Sequence, residues 1–137
     1  MEAKLKHLEM IQGIINRMAA NSFLLKGWSL TLVAALIALS AGKTNPLFAL
    51  VALLPCLVFW GLDGYFLCQE RLFRGLYDEV RGKEPEDIDF SMKWSLEVSK
   101  KAGTWCDVCL SRTLVAFHGV VLASILLIAL VFFSTGK

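Results

Sequence analysis

The distribution of charge constrains this chain more than any other feature. No Asp, Glu, Lys or Arg occurs between Lys26 and Lys43, between Lys43 and Asp63, or between Arg112 and Lys137, leaving gaps of 16, 19 and 24 residues. A helix crossing the hydrocarbon of a bilayer needs about 20 mostly apolar residues, with a range of about 17–25. The second and third gaps meet that requirement directly. The first is short, and snorkelling of Lys26 and Lys43 lengthens it without carrying charge into lipid. An all-α integral membrane protein is expected, with three transmembrane helices over residues 24–42, 46–66 and 112–133. Composition agrees: the hydrophobic fraction is 56%, against roughly 45–50% for soluble chains.

A signal peptide competes for the first span, because "ALSAG" (Ala38 to Gly42) loosely resembles a cleavage site. Such a peptide places only a short basic region before its apolar run. Here 26 residues with their own helical pattern come first. Orientation follows from Lys and Arg, which number 4 before the first span, 1 between spans one and two, 8 between two and three, and 1 after. Positive charge collects on the cytoplasmic side. The amino terminus and the middle segment are therefore expected on the cytoplasmic side of the membrane, with the carboxyl terminus outside. The net charge of +2 offers no bulk attraction for nucleic acid.

Residues 1–23 read as an amphipathic helix, with Leu8, Ile11, Ile15 and Met18 at spacings of 3 and 4. It is expected to emerge from the membrane as a continuation of the first span. "GKTNP" (Gly42 to Pro46) is a turn signal, and Pro55 should kink the second span. Beyond Asp63, the residues Leu62, Phe66, Gln69, Phe73, Leu76 and Val80 form a candidate helical seam. Glu70, Arg74 and Asp78 form an i,i+4 ladder. Residues 67–81 should thus continue span two as a cytoplasmic helix. Its natural partners are the amino-terminal helix and further copies of the chain. Residues 82–111 read as a cytoplasmic loop carrying one short interfacial helix.

Nothing points to an enzyme. There is no G-x-S-x-G, no H-E-x-x-H and no phosphate-cradling Gly-rich loop. No cofactor or metal is expected. "WCDVC" (Trp105 to Cys109) contains a C-x-x-C, but without a thioredoxin-like βαβ setting it reads as a chance juxtaposition. The informative residues are the boundary charges. Antiparallel spans bring Lys26 and Asp63 to one level, where an ionisable group is costly unless paired or in a wet cavity. An interfacial ion pair is one reading, and a ring of acids at a pore mouth is the other. Arg17 with Glu70 is a second candidate pair. Arg71, Arg74 and Arg81 are candidate contacts for an anionic ligand or partner, set against an intrahelical ladder that would use the same charges. Ser29 and Ser40, three turns apart on a span rich in small residues, are candidate pore-lining or bundle-interior positions. Span three is apolar all round and reads as peripheral and lipid-facing, with His118 as a hydrogen-bonded packing residue.

The blocks "RMAANSFLLKGWSLTLVAAL" (Arg17 to Leu36), "FWGLDGYFLCQERLFRGLYDEVR" (Phe59 to Arg81) and "SRTLVAFHG" (Ser111 to Gly119) resemble a family of small bacterial inner-membrane proteins. R-M-A-x-N-S-F and L-D-x-Y-x-L-x-x-E-R-x-F-R-x-L-Y carry the resemblance, which covers most of the chain. It implies a membrane effector of anti-phage defence, in which a partner that makes or senses a nucleotide signal controls an oligomeric channel. The matching positions are Arg17, Asn21, Lys26, Asp63, Glu70, Arg71 and Arg74. Two functions are therefore carried forward. One is a homo-oligomeric, gated ion-conducting effector whose cytoplasmic helices act as gate or sensor. The other is a non-conducting membrane anchor or scaffold that recruits a cytoplasmic partner through its helical stalk.

Overall fold

No proline precedes Pro46, and nothing else breaks the first helix. In the computed structural model, which describes residues 1–43 and 47–135, α1 runs over Glu2–Lys43, a single helix of 42 residues. At about 1.5 Å per residue it is roughly 63 Å long, twice the thickness of bilayer hydrocarbon. Residues 1–23 and 24–42 are therefore one element. Two helices follow in place of one second span: α2, Leu47–Val51, and α3, Leu53–Gly82. The interruption has a local cause. A proline ring collides with the carbonyl four residues before it and supplies no N–H to bond it, and α2 ends at Val51, four before Pro55. Ala52, between the two helices, keeps helical angles (φ −64°, ψ −17°), so the break is slight.

α3 then continues for 30 residues, from an apolar beginning to the charged ladder. After a 3₁₀ turn at Pro85–Asp87 come α4, Leu96–Ala102, and α5, Trp105–Cys109, where one interfacial helix was expected. Both are short and both are capped. The Ser95 hydroxyl accepts from Val98 N–H at 3.2 Å, and Thr104 with Asp107 forms a reciprocal capping box. Gly103, at φ 83°, supplies the left-handed turn between them. The last helix, α6, spans Arg112–Thr135. Among the described residues there is no strand.

α1 and α3 lie antiparallel and form the main seam. The buried positions of α1 are His7, Ile11, Ile15, Ser22, Ser29, Val33 and Ser40, spacings of 4 and 7 that keep one face toward a partner helix. Those of α3 are Cys56, Asp63, Gly64, Cys68, Leu72, Leu76 and Val80. This corrects the phase of the expected seam. Leu76 and Val80 belong to it, but Leu62 is exposed and Asp63, Cys68 and Leu72 take the inward face.

Ile11, Ile15, Leu76 and Val80 form one apolar cluster at the amino-terminal end of α1. Val33, Ala52, Cys56, Val121 and Ile125 form another toward its far end. A third, of Cys68, Leu72, Val98, Ala102 and Val108, ties α4 and α5 to α3. The amino-terminal cluster is closed off by the loop after α3. Lys4 Nζ donates to the Lys83 carbonyl at 2.7 Å, His7 Nε2 lies 3.1 Å from the Ser91 carbonyl oxygen, and the Phe90 ring packs on His7.

Two helical stretches are long and apolar enough to cross a membrane, within Glu2–Ala41 and Leu96–Ser134, with mean hydropathies of 1.8 and 2.7. Little of either is buried within the protomer. Phe23, Leu24 and Trp28 of α1, and Leu127 and Leu130 of α6, face outward. Apolar surface on this scale on a small monomer marks contact with lipid or with other protein. α6 is not peripheral on every side: Leu114, His118, Val121, Ile125 and Ala129 are buried at spacings of 3 and 4. That row packs its inner face against the bundle.

Candidate functional site: a buried charged junction of three helices

Between the two end clusters of the bundle sits one fully buried carboxylate, that of Asp63. Three side chains from two other helices converge on it. Lys26 Nζ of α1 lies 2.5 Å from Oδ2, and His118 Nε2 of α6 lies 2.8 Å from the same oxygen. The Ser22 hydroxyl, one turn before Lys26, donates to Oδ1 at 2.5 Å and accepts from Lys26 Nζ at 2.9 Å. An ionised carboxylate only accepts, so His118 presents Nε2–H to it. His118 is fully buried, whereas the Lys26 side chain is 22% exposed and brings the junction to the surface of the protomer.

Aromatic groups frame the site. Trp60 stacks on the His118 ring at 5.7 Å, Phe117 meets that ring edge-on at 5.0 Å, and Lys26 Nζ lies 5.9 Å above the Phe117 ring. Two indoles also clamp α5 to α3 here. Trp60 Nε1 donates to the Cys109 carbonyl and Trp105 Nε1 donates to the Gly61 carbonyl, both at 2.9 Å. Gly64 is required at the crossing, because a Cβ there would overlap the Cys109 sulfur. Burial pushes the Cys109 thiol above its ordinary range, so at neutral pH it meets Asp63 as an uncharged group. In the capping box, hydrogen bonds from Thr104 hold Asp107 below the usual carboxylate range.

The junction is electrically balanced but incompletely bonded. One carboxylate faces one ammonium and one imidazole, and the imidazole's Nδ1 is buried with no hydrogen-bond partner. The Ser29 and Ser111 hydroxyls are also buried without a partner among the described residues. Breaking such a pair by removing one member costs about 3–5 kcal/mol, because the other charge stays behind in a poor solvent. Chemically the arrangement can hold three helices together, exchange one counter-ion for another, and bind a proton. Among the described residues no three His, Cys, Asp or Glu side chains converge in a way that could hold a metal ion.

The remaining sequence-derived candidates fall elsewhere. Arg17 is exposed and does not meet Glu70, which pairs instead with Arg74 at 2.8 Å. The local i,i+4 partner is reached with less ordering of the side chain than one on another helix. Arg81 pairs with Asp78 at 3.4 Å. Arg71 and Arg74 line a groove of about 570 Å³ between α3 and α4, together with Asp78 and Glu79 of α3 and Glu97 and Lys101 of α4. Arg81 lies outside that groove. Ser29 and Ser40 are both buried within the protomer, where small side chains let α1 approach its neighbours. Burial of this kind fits the bundle-interior alternative.

Sequence reasoning placed Lys26 beside Asp63 and read His118 as a hydrogen-bonded packing residue, but it missed Ser22 and did not name Asp63 as the partner of His118. Ser22 could have been found as the hydroxyl one turn before Lys26, and His118 as the sole ionisable side chain between Arg112 and Lys137. No family model, no curated protein and no solved structure matches this chain.

Proposed function

We propose that the chain is a three-span inner-membrane protein that assembles with copies of itself into a gated ion-conducting effector, and that the Lys26–Asp63–His118 junction is its gate. The carrying observation is that one buried carboxylate holds cationic or ionisable groups from two other helices. Ionisable groups at membrane depth are expensive, pair with one another or line wet cavities, and are functional candidates by default. When such a junction parts, its charges need water, and a wet path at that level is what conduction requires.

In this reading α1 and α6 each cross the membrane, and α2 with the first turns of α3 makes the third crossing. The outward-facing Leu54, Leu57 and Val58 support that third crossing, as does the Lys and Arg asymmetry along the chain. The remaining length of α1 and α3 stands in the cytoplasm as a paired stalk. There the Arg71 and Arg74 groove offers a place for a regulatory protein or a nucleotide-derived signal. The setting in anti-phage defence rests on the R-M-A-x-N-S-F and L-D-x-Y blocks alone. The reading as a non-conducting anchor also has an observation in its favour: both serines of the first span turn into the protomer.

Ion flux from liposomes containing the purified protein separates the two. The channel reading expects flux that rises when Asp63→Asn unlocks the junction. Flux at the level of empty liposomes, for both the wild type and Asp63→Asn, would sink it and leave the anchor.

A further inference from the structure

We infer that the junction is a proton-binding site in which Lys26 and His118 compete for one carboxylate oxygen, so that uptake of a single proton exchanges the counter-ion of Asp63. Both nitrogens sit on Oδ2, at 2.5 and 2.8 Å, while Oδ1 is occupied by the Ser22 hydroxyl. Asp63 can neutralise one cation. With Lys26 charged and His118 neutral, the fully buried carboxylate is balanced. A proton added at His118 Nδ1, the buried nitrogen that has no partner, makes an imidazolium and leaves the junction with one positive charge too many.

Relief is available on one side only. His118 is fully buried and stacked on Trp60, so it stays. Lys26 is partly exposed and has a flexible stem, so it can withdraw to water. The step balances: one proton passes from water to Nδ1, no covalent bond breaks, and the Lys26–Asp63 pair is replaced by an imidazolium–carboxylate pair. α1 then keeps only the Ser22 hydrogen bond to the carboxylate, and loses its ion pair to α3, while α6 is held more tightly. The other groups facing the carboxylate do not alter this count. From α5 comes the Cys109 thiol, held neutral by burial, and further along α3 are Tyr65, which is half exposed, and the Cys68 thiol, likewise raised by burial. From α1, among the described residues, the further hydrogen bond is that of the Ser22 hydroxyl.

The consequence for gating rests on the function proposed above, but proton binding does not. Full-length protein labelled with ¹⁵N-histidine in lipid nanodiscs would report the His118 ring nitrogens directly, and His7→Gln gives an unambiguous assignment. The expected result is conversion of His118 from a neutral ring with Nε2–H to imidazolium as pH falls from 8 to 5. In Lys26→Met, which removes the competing cation, the imidazolium signal should appear at a higher pH than in the wild type. Lys26→Arg should behave as wild type. A His118 ring that stays neutral throughout, or an unchanged response in Lys26→Met, would overturn the inference. Because the readout is spectroscopic, His118 titration without any ion flux would refute the gate and leave the proton site standing.

Discussion

Replacing Asp63 and Lys26 singly and together tests whether the junction is a directly coupled unit. At 2.5 Å and an effective dielectric near 20, the gross attraction is about 7 kcal/mol. Desolvation of two charges offsets most of it, and loss of one partner from a buried pair leaves a net penalty of about 3–5 kcal/mol. The two single changes should differ. Lys26→Met strands a fully buried carboxylate that still receives Ser22 and His118, so a cost near 3 kcal/mol is expected. Asp63→Asn leaves Lys26 free to reach water but gives Ser22 and His118 a single acceptor oxygen in place of two, so about 2–4 kcal/mol is expected. The double variant leaves no unpaired charge and should cost at least 2 kcal/mol less than the sum. Equilibrium unfolding in mixed micelles, followed by circular dichroism, gives all three values. Losses that add to within about 0.5 kcal/mol would refute direct coupling.

Two further outcomes follow from contacts beside the junction. Gly64→Ala should destabilise by about 1–3 kcal/mol, because its methyl overlaps the Cys109 sulfur; Cys109→Gly in the same chain should restore most of the loss, and no rescue would place the strain elsewhere. The capping box makes α5 sensitive to acid. Asp107 titrates below the ordinary carboxylate range when folded, so its contribution is complete above that range and is lost as pH falls through the lowered value. Hydrogen exchange over Trp105–Cys109 should therefore accelerate below about pH 4 in the wild type, and Asp107→Asn should remove that acid step.

Long uncharged runs and i,i+4 charge spacing made the helical class legible in the sequence, because both follow from backbone geometry. The level of Lys26 and Asp63 was legible for the same reason: two antiparallel helices separated by few residues in the chain bring mirrored positions together. The phase of α3 was not. Around Asp63 the chain is apolar on nearly every face, as Leu62, Tyr65 and Phe66 attest, so apolar periodicity cannot say which face turns inward. The acid decides it, since an inward Asp63 finds three partners and an outward one would find none. His118 was obscured by the same uniformity. Apolar residues on every side made α6 look peripheral, yet its single imidazole lies in the buried row with Leu114, Val121, Ile125 and Ala129. Arg17 was paired with Glu70 by level alone, and level ignores a nearer partner one turn away on the same helix.

A final variant asks what the junction is for. Replacing a buried ionic cluster with apolar side chains of similar volume is often neutral, or stabilising by about 1–4 kcal/mol. Asp63→Leu with Lys26→Met, His118→Leu and Ser22→Ala would join the apolar cluster around Val33 and Cys56 to the one around Leu72 without leaving a stranded charge. If the junction serves only to fix how three helices pack, that variant should lose helix register and gain little or no stability. If it is a switch, the chain should fold at least as stably as the wild type and lose its pH response. Ion flux should then no longer respond to pH. Such a result would mean that four polar side chains are held in the middle of an apolar bundle at a cost in stability, for the sake of a state in which they separate. Retention of the pH response in the apolar variant would place the switch outside the junction and refute its role as the gate.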